Sequence, residues 1–194
     1  MVMKTKPKYK KIIEAAVAVI AEKGFHQAQV SKIAKRAGVA DGTIYIYFKN
    51  KEDILTSLFS EKMGEFIEKI QQEISQKASA KEKMAALVET HFSILAADRN
   101  MAIVTQLELR QSNKEIRMKI NDTLKNYTSV MEEIIDSGKQ EGVFRATLDV
   151  RLARQMVFGT IDETVTNWVM NDQKYDLVAL SHPVADLLIN GLCH

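Results

Sequence analysis

The chain has 194 residues, 46% hydrophobic and 27% charged, which supplies a packed core and excludes an intrinsically disordered chain. Two prolines and eight glycines leave strand-and-turn architectures without their punctuation, and the one cysteine, Cys193, excludes an intrachain disulfide framework. The net charge of +2 conceals an asymmetry: residues 1–51 hold eleven Lys and Arg against three Asp and Glu, a balance of +8 on an otherwise acidic chain. An all-α fold is the expectation. A lone cysteine suits a reducing compartment, and no stretch reaches the roughly 20 apolar residues of a membrane span. The expected location is therefore the cytoplasm, with no membrane partner.

From Tyr9, the apolar residues Ile12, Ile13, Ala16, Val17, Ile20 and Ala21 follow the i, i+3, i+4, i+7 spacing of one helix face, and Gly24 ends it. Val30, Ile33, Ala34 and Ala37 repeat the pattern over two turns, with Gly38 where a left-handed cap belongs. A third short helix is expected at 41–48. Two short helices joined by a glycine-containing turn and buttressed by an earlier helix make a helix-turn-helix unit. After Asn50, read as an N-cap with Asp53 three residues on, Ile54, Leu55, Leu58, Phe59, Met63, Phe66, Ile70 and Ile74 describe one long helix. Further helices are expected at about 80–97, 100–111, 113–137, 149–171 and 176–191, with Pro183 kinking or restarting the last. The motif divides the chain into a head, 1–51, and a body, 52–194.

On the wheel of the third helix, Ile44 and Phe48 face inward, Gly42, Thr43 and Ile46 point away, and Tyr45 and Tyr47 flank them. Small Gly42 allows close backbone approach, Thr43 can hydrogen-bond a base edge or a phosphate, and Ile46 offers apolar contact to a thymine methyl. Tyr45 and Tyr47 would reach phosphates on either side. Lys49 and Lys51 stand at the start of the long helix, where free backbone N–H groups already favour an anion. Together with the basic head, this pattern points to double-stranded DNA.

Gly24-Phe25, the run from Val30 to Val39, Gly42-Thr43-Ile44-Tyr45-Ile46-Tyr47-Phe48, and Lys49 to Leu55 resemble the DNA-binding signature of the TetR family. The resemblance implies that the helix starting near Gln29, with Ser31, crosses the DNA backbone. It also implies that the helix from Thr43 to Phe48 enters the major groove, and that two heads of a homodimer read a palindromic operator. Ala28 and Ala40 depart from the family, which usually has Thr and Ser at these two capping positions; Gln29 and Asp41 are the nearest substitutes.

In the body, Gln106 to Asn113, Val150 to Met156, Phe158 to Val165 and Trp168-Val169-Met170-Asn171 resemble those TetR-family regulators of fatty-acid degradation that respond to long-chain acyl-CoA. The resemblance implies a repressor of β-oxidation genes, released from its operator by that effector and needing no cofactor. The residues support this in part. Phe59, Met63, Phe66, Phe92, Met101, Val104, Leu107, Met131, Phe158 and Trp168 offer a Met-containing apolar lining. Arg110, with Arg99, Lys114, Arg117 and Arg151, supplies cations near helix ends for the CoA phosphates. Apolar stripes at helical spacing also serve simply as core. The alternative is a repressor of an efflux or other metabolic gene that answers to a hydrophobic drug or metabolite.

An enzyme finds little support. His26, His91, His182 and His194 are scattered, with no metal-ligand spacing, and no Gly-rich phosphate loop or nucleophile elbow occurs. His91 reads as a partly buried polar side chain on its helix. Dimerisation is expected through the last two helices, by Val157, Ile161, Val165 and Trp168 on one and Leu177, Leu180, Val184, Leu187 and Leu188 on the other, forming a four-helix bundle with their symmetry mates.

Overall fold

The computed structural model describes residues 7–108 and 110–193; the Lys-rich start up to residue 6, Leu109 and His194 lie outside the described residues. The described residues form helices α1 (Pro7–Gln27), α2 (Val30–Ala37), α3 (Asp41–Tyr47), α4 (Lys51–Ser75), α5 (Ala80–Ala97), α6 (Arg99–Glu108), α7 (Lys114–Gln140), α8 (Val150–Met170) and α9 (Ser181–Leu192). A turn of 3-10 helix, Val178–Leu180, precedes α9, and no strand occurs among the described residues. The chain divides into two compact units, residues 7–62 with 100–108 and 110–121, and residues 63–99 with 122–193. The motif-based boundary at 51 is thus narrower than the first unit, whose edges fall inside α4 and α7.

In the first unit, α1 begins on Pro7, whose fixed φ and missing N–H suit a first helical position. Its buried positions include Ile12, Ala16 and Ile20, as the periodicity requires. Gly24, at φ 72° and ψ 156°, breaks the helix, and a short continuation runs on to Gln27. Gly38 takes the left-handed conformation expected of it, and its N–H donates to Lys35 O. Asn50 caps α4: its Oδ1 accepts from Asp53 N–H at 2.8 Å, and the Asp53 carboxylate accepts from Lys49 N–H at 2.9 Å. The caps expected to replace the family's Thr and Ser do not form. Gln29 and Ala40 hold the N-cap positions of α2 and α3 without a side-chain bond, and Asp41 sits one residue too late, inside the first turn of α3.

In the second unit, α5 starts in a capping box of Ser79 and Glu82, whose carboxylate is held below the usual range first by its backbone bond at Ser79. The Glu141 carboxylate, just past α7, accepts from Ala80 N–H at 2.9 Å and from the Ser137 hydroxyl at 2.8 Å, tying the end of one helix to the start of the other. Asp149 caps α8 through Leu152 N–H. Beyond α8, the left-handed residues Asp172 and Gln173 are held in a turn by Trp168 Nε1, which donates to Tyr175 O, and by Gln173 Nε2, which donates to Arg99 O. Pro183 lies in the first turn of α9, where a missing N–H costs no helical bond, so it restarts the helix at Ser181 rather than kinking one begun at 176.

The expected dimer stripe needs correction. Val157, Ile161, Val165 and Trp168 are at most 2% exposed, and Leu177 and Leu188 are likewise buried, because one continuous face of α8 turns into the core of its own unit. Large apolar side chains exposed on these two helices are instead Leu152, at 66%, Met156, at 39%, Met170, at 67%, and Leu187, at 73%.

The tightest constraint in the second unit is at Gly138, in the last turn of α7. The chain reverses there, with Gly142 at φ 72°, and both Val143 N–H and Phe144 N–H donate to Gly138 O. This lays the buried Phe144 ring on the spot where a Cβ on residue 138 would sit. Gly138→Ala is expected to destabilise the protein by about 1–3 kcal/mol, the usual cost of overpacking. Urea unfolding followed by circular dichroism checks this; an unchanged midpoint would show that Phe144 moves aside freely.

Candidate nucleic-acid interface and regulatory core

α3 presents the two faces its sequence dictates. Ile44 and Phe48 are buried, and Phe48 stacks on Tyr9 of α1 with ring centroids 5.2 Å apart, so the helix is seated by its aromatic underside. On the other face Tyr45 and Ile46 are 59% and 61% exposed, Gly42 is open, and Thr43 is half-buried. Exposed aliphatic and aromatic side chains of this size on a seven-residue helix contribute nothing to the head's own core. Tyr47 is half-buried, its ring tilted against those of Tyr9 and Phe48. Gln29, Ser31 and Lys49 are exposed. The expected DNA-facing residues are thus exposed or half-exposed, and one of them stands apart by its contacts.

The exception is Lys51. Its ammonium turns into the head, donating to Phe25 O at 3.0 Å and His26 O at 2.9 Å while lying 4.7 Å from the centre of the Phe25 ring. A phosphate would have to compete with two carbonyls already in place. Opposite it, Phe25 N–H donates to Glu108 Oε1 at 2.8 Å, and Gln111 Nε2 donates to Glu108 Oε2 at 2.6 Å. The backbone around Phe25 is thus gripped by the first residue of α4 and the last residue of α6. Glu108 and Gln111 are functional candidates that the sequence reading missed, and no local signal marks them, because Phe25 is 83 residues from Glu108.

The expected acyl-lining residues divide between the units. Met63, Phe66, Phe92, Met131, Phe158 and Trp168 lie in the second, and Phe59, Met101, Val104, Leu107 and Arg110 in the first. Most are buried, and Phe158 is partly so. Leu107 departs from expectation at 53% exposed: α6 buries Met101, Ala102, Val104 and Thr105, and Leu107 lies off that stripe. Arg110 is also exposed. Trp168 is occupied structurally, its indole N–H holding the turn after α8 and Arg99 resting 6.0 Å from its ring. Two cavities of the first unit, of about 130 and 240 Å³ around Asn113 and Ile116, are lined by none of these residues.

The second unit instead centres on a polar pair. His91 of α5 is 6% exposed, and its Nδ1 lies 2.7 Å from the Tyr127 hydroxyl of α7. Phe66 stands perpendicular to both rings, with centroids at 4.9 and 5.4 Å, Phe92 stands edge-on to His91, and Phe158 packs against Tyr127. His91 Nε2 has no hydrogen-bond partner among the described residues. Burial drives the imidazole down to about 3, so it is neutral, and burial followed by the Asp162 carboxylate drives the Tyr127 phenol upward. Periodicity could have located His91, which lies in register with the buried Leu87, Val88 and Leu95, but not the tyrosine 36 residues away that pairs with it.

Residues 12–58 match the family described as bacterial regulatory proteins, tetR family, and residues 59–191 match the YsiA-like protein, C-terminal region. The fatty acid metabolism regulator protein of Bacillus subtilis (strain 168) is 67% identical over 187 residues, covering 96% of each chain. Among solved structures, the transcriptional regulator FadR from Bacillus subtilis in complex with stearoyl-CoA matches with a TM-score of 0.92 at 67% identity, covering 95% of this chain and 99% of that one. The fatty acid degradation regulator FadR from Bacillus halodurans matches with a TM-score of 0.92 at 61% identity, with the same coverage. A helix-turn-helix head, an all-helical body and likeness of this degree over almost the whole length establish that the chain belongs to the TetR family of bacterial regulatory proteins, with a C-terminal region of the YsiA-like type.

Proposed function

We propose that the protein is a cytoplasmic repressor of fatty-acid degradation genes that binds a palindromic operator as a homodimer and leaves it when a long-chain acyl-CoA binds. The observation that carries this reading is the 67% identity, over nearly all of both chains, to a regulator solved with stearoyl-CoA. The accessible face of α3 supports the DNA half of it: Gly42, Thr43, Tyr45 and Ile46 are positioned for base edges and thymine methyls, with Tyr47 and Lys49 beside them for phosphates. The exposed Leu152, Met156 and Leu187 on α8 and α9 support self-association through these helices. Release requires the effector to prefer the DNA-incompetent state, since a ligand that binds both states equally shifts nothing.

Reciprocity makes the induction reading testable. Stearoyl-CoA should weaken the protein's affinity for a selected palindromic operator, and the operator should weaken its affinity for stearoyl-CoA by the same factor. Fluorescence anisotropy with labelled DNA and calorimetry with the ligand measure the two arms. Equal stearoyl-CoA affinities with and without operator would overturn the induction reading, however tight the binding.

The phosphate contacts predict a steep salt dependence of operator affinity. Lys49→Ala should weaken binding to all sequences alike and reduce the slope of log affinity against log salt by about one, whereas Ile46→Ala should relax base preference and leave the slope intact. Swapped outcomes would reverse the two assignments. For assembly, Leu152→Glu combined with Leu187→Glu should yield a folded monomer by sedimentation at micromolar concentration, because charges in an apolar isologous interface oppose each other across the two-fold axis. A dimer that survives both changes would place the interface elsewhere.

A further inference from the structure

A buried polar atom without a partner costs about 1–3 kcal/mol, and an apolar side chain of the same shape would avoid that cost. At position 91 the cost is carried, in the middle of an aromatic wall. Phe66 and Phe92 pack edge-on against the His91 ring and Tyr127 fixes its Nδ1, so the imidazole is held firmly while Nε2 has no partner. Binding sites for apolar ligands share this construction, with a hydrophobic lining and one polar group that fixes the ligand's orientation. A long-chain acyl-CoA brings one hydrogen-bonding atom directly at the end of its alkyl chain, the thioester carbonyl oxygen, which is an acceptor.

We propose that His91 Nε2–H donates a hydrogen bond to the thioester carbonyl oxygen of the acyl-CoA effector, with the Tyr127 hydroxyl as the positioning group that donates to Nδ1. The inference rests on the acyl-CoA reading above and adds the atom that tells an acyl thioester from a long-chain ligand with no acceptor at that position. The phenol is what selects the tautomer. A neutral imidazole has one ring proton, and a hydroxyl donated to Nδ1 leaves that proton on Nε2. Because the ring is neutral, its contribution is a directional bond to the carbonyl and not an attraction for the CoA phosphates. Recognition of the carbonyl is thereby separated from recognition of the nucleotide.

The test compares stearoyl-CoA with S-octadecyl-CoA, a thioether that keeps the chain and the nucleotide but has no carbonyl. Calorimetry on the wild-type protein should show the thioester bound about three- to tenfold more tightly, the range of one neutral hydrogen bond. In His91→Phe/Tyr127→Phe both members of the pair are replaced together by rings of similar shape, so neither is left facing an absent partner. This variant should bind the two ligands equally, with the affinity the wild type shows for the thioether. Tyr127→Phe alone should lose part of the preference. Nitrogen NMR of histidine-labelled ligand-free protein gives an independent reading, with His91 protonated at Nε2. A wild type that binds the two ligands equally, a preference that survives in the double variant, or a proton found on Nδ1 would each overturn the assignment. If neither ligand binds the wild type, the effector reading itself fails, and the inference falls with it.

Discussion

The head depends on how the interrupted end of α1 is held. Gly24 breaks the helix, and the Phe25 N–H beyond the break, in a partly buried setting, takes its partner from outside α1. An ammonium from α4 takes the Phe25 and His26 carbonyls and a carboxylate from α6 takes the Phe25 N–H. Bonds with one charged partner are the stronger kind, and here both signs of charge are spent on one short piece of backbone. The first turn of α4 comes directly after the α3 helix and its Asn50 cap, so the same interaction that completes α1 also fixes where the exposed α3 face is presented. The end of α6 thus touches Phe25 directly, through Glu108.

Sequence patterns reveal what is local. The helices α1 to α8 fall within a few residues of their expected places because the 3.6-residue period and the caps at Asn50, Ser79 and Asp149 are properties of contiguous residues. The inward and outward faces of α3 follow from its own wheel. What the pattern leaves open is whatever depends on a distant partner. Lys51 at a helix start is equally suited to a phosphate or to a carbonyl, and only the proximity of the broken end of α1 decides between them. An apolar stripe such as Val157, Ile161 and Val165 is the same stripe whether it faces its own core or a second copy; only the folded chain, in which all three are buried, decides that. Leu107 was misplaced for the opposite reason, since α6 is too short for its pattern to define which face is buried.

Polar groups in the two units are handled differently. In the head and at the helix ends, charged side chains close off backbone groups, and almost every such bond can be traced to a helix terminus. Inside the second unit, His91 and Tyr127 pair with each other across two helices, far from any terminus. Neither group closes a helix end or caps a backbone N–H. That contrast separates the groups that make the architecture from those that give it something to recognise.

The buried imidazole also couples this unit to protons. Folded His91 resists protonation down to about 3, whereas an unfolded chain binds that proton at the ordinary value of 6.5. Above 6.5 neither state carries the proton and the residue is silent. Between 6.5 and 3 the unfolded state binds more protons than the folded one, so stability falls as the pH is lowered through this window. Mild acid therefore weakens the unit built around this aromatic core.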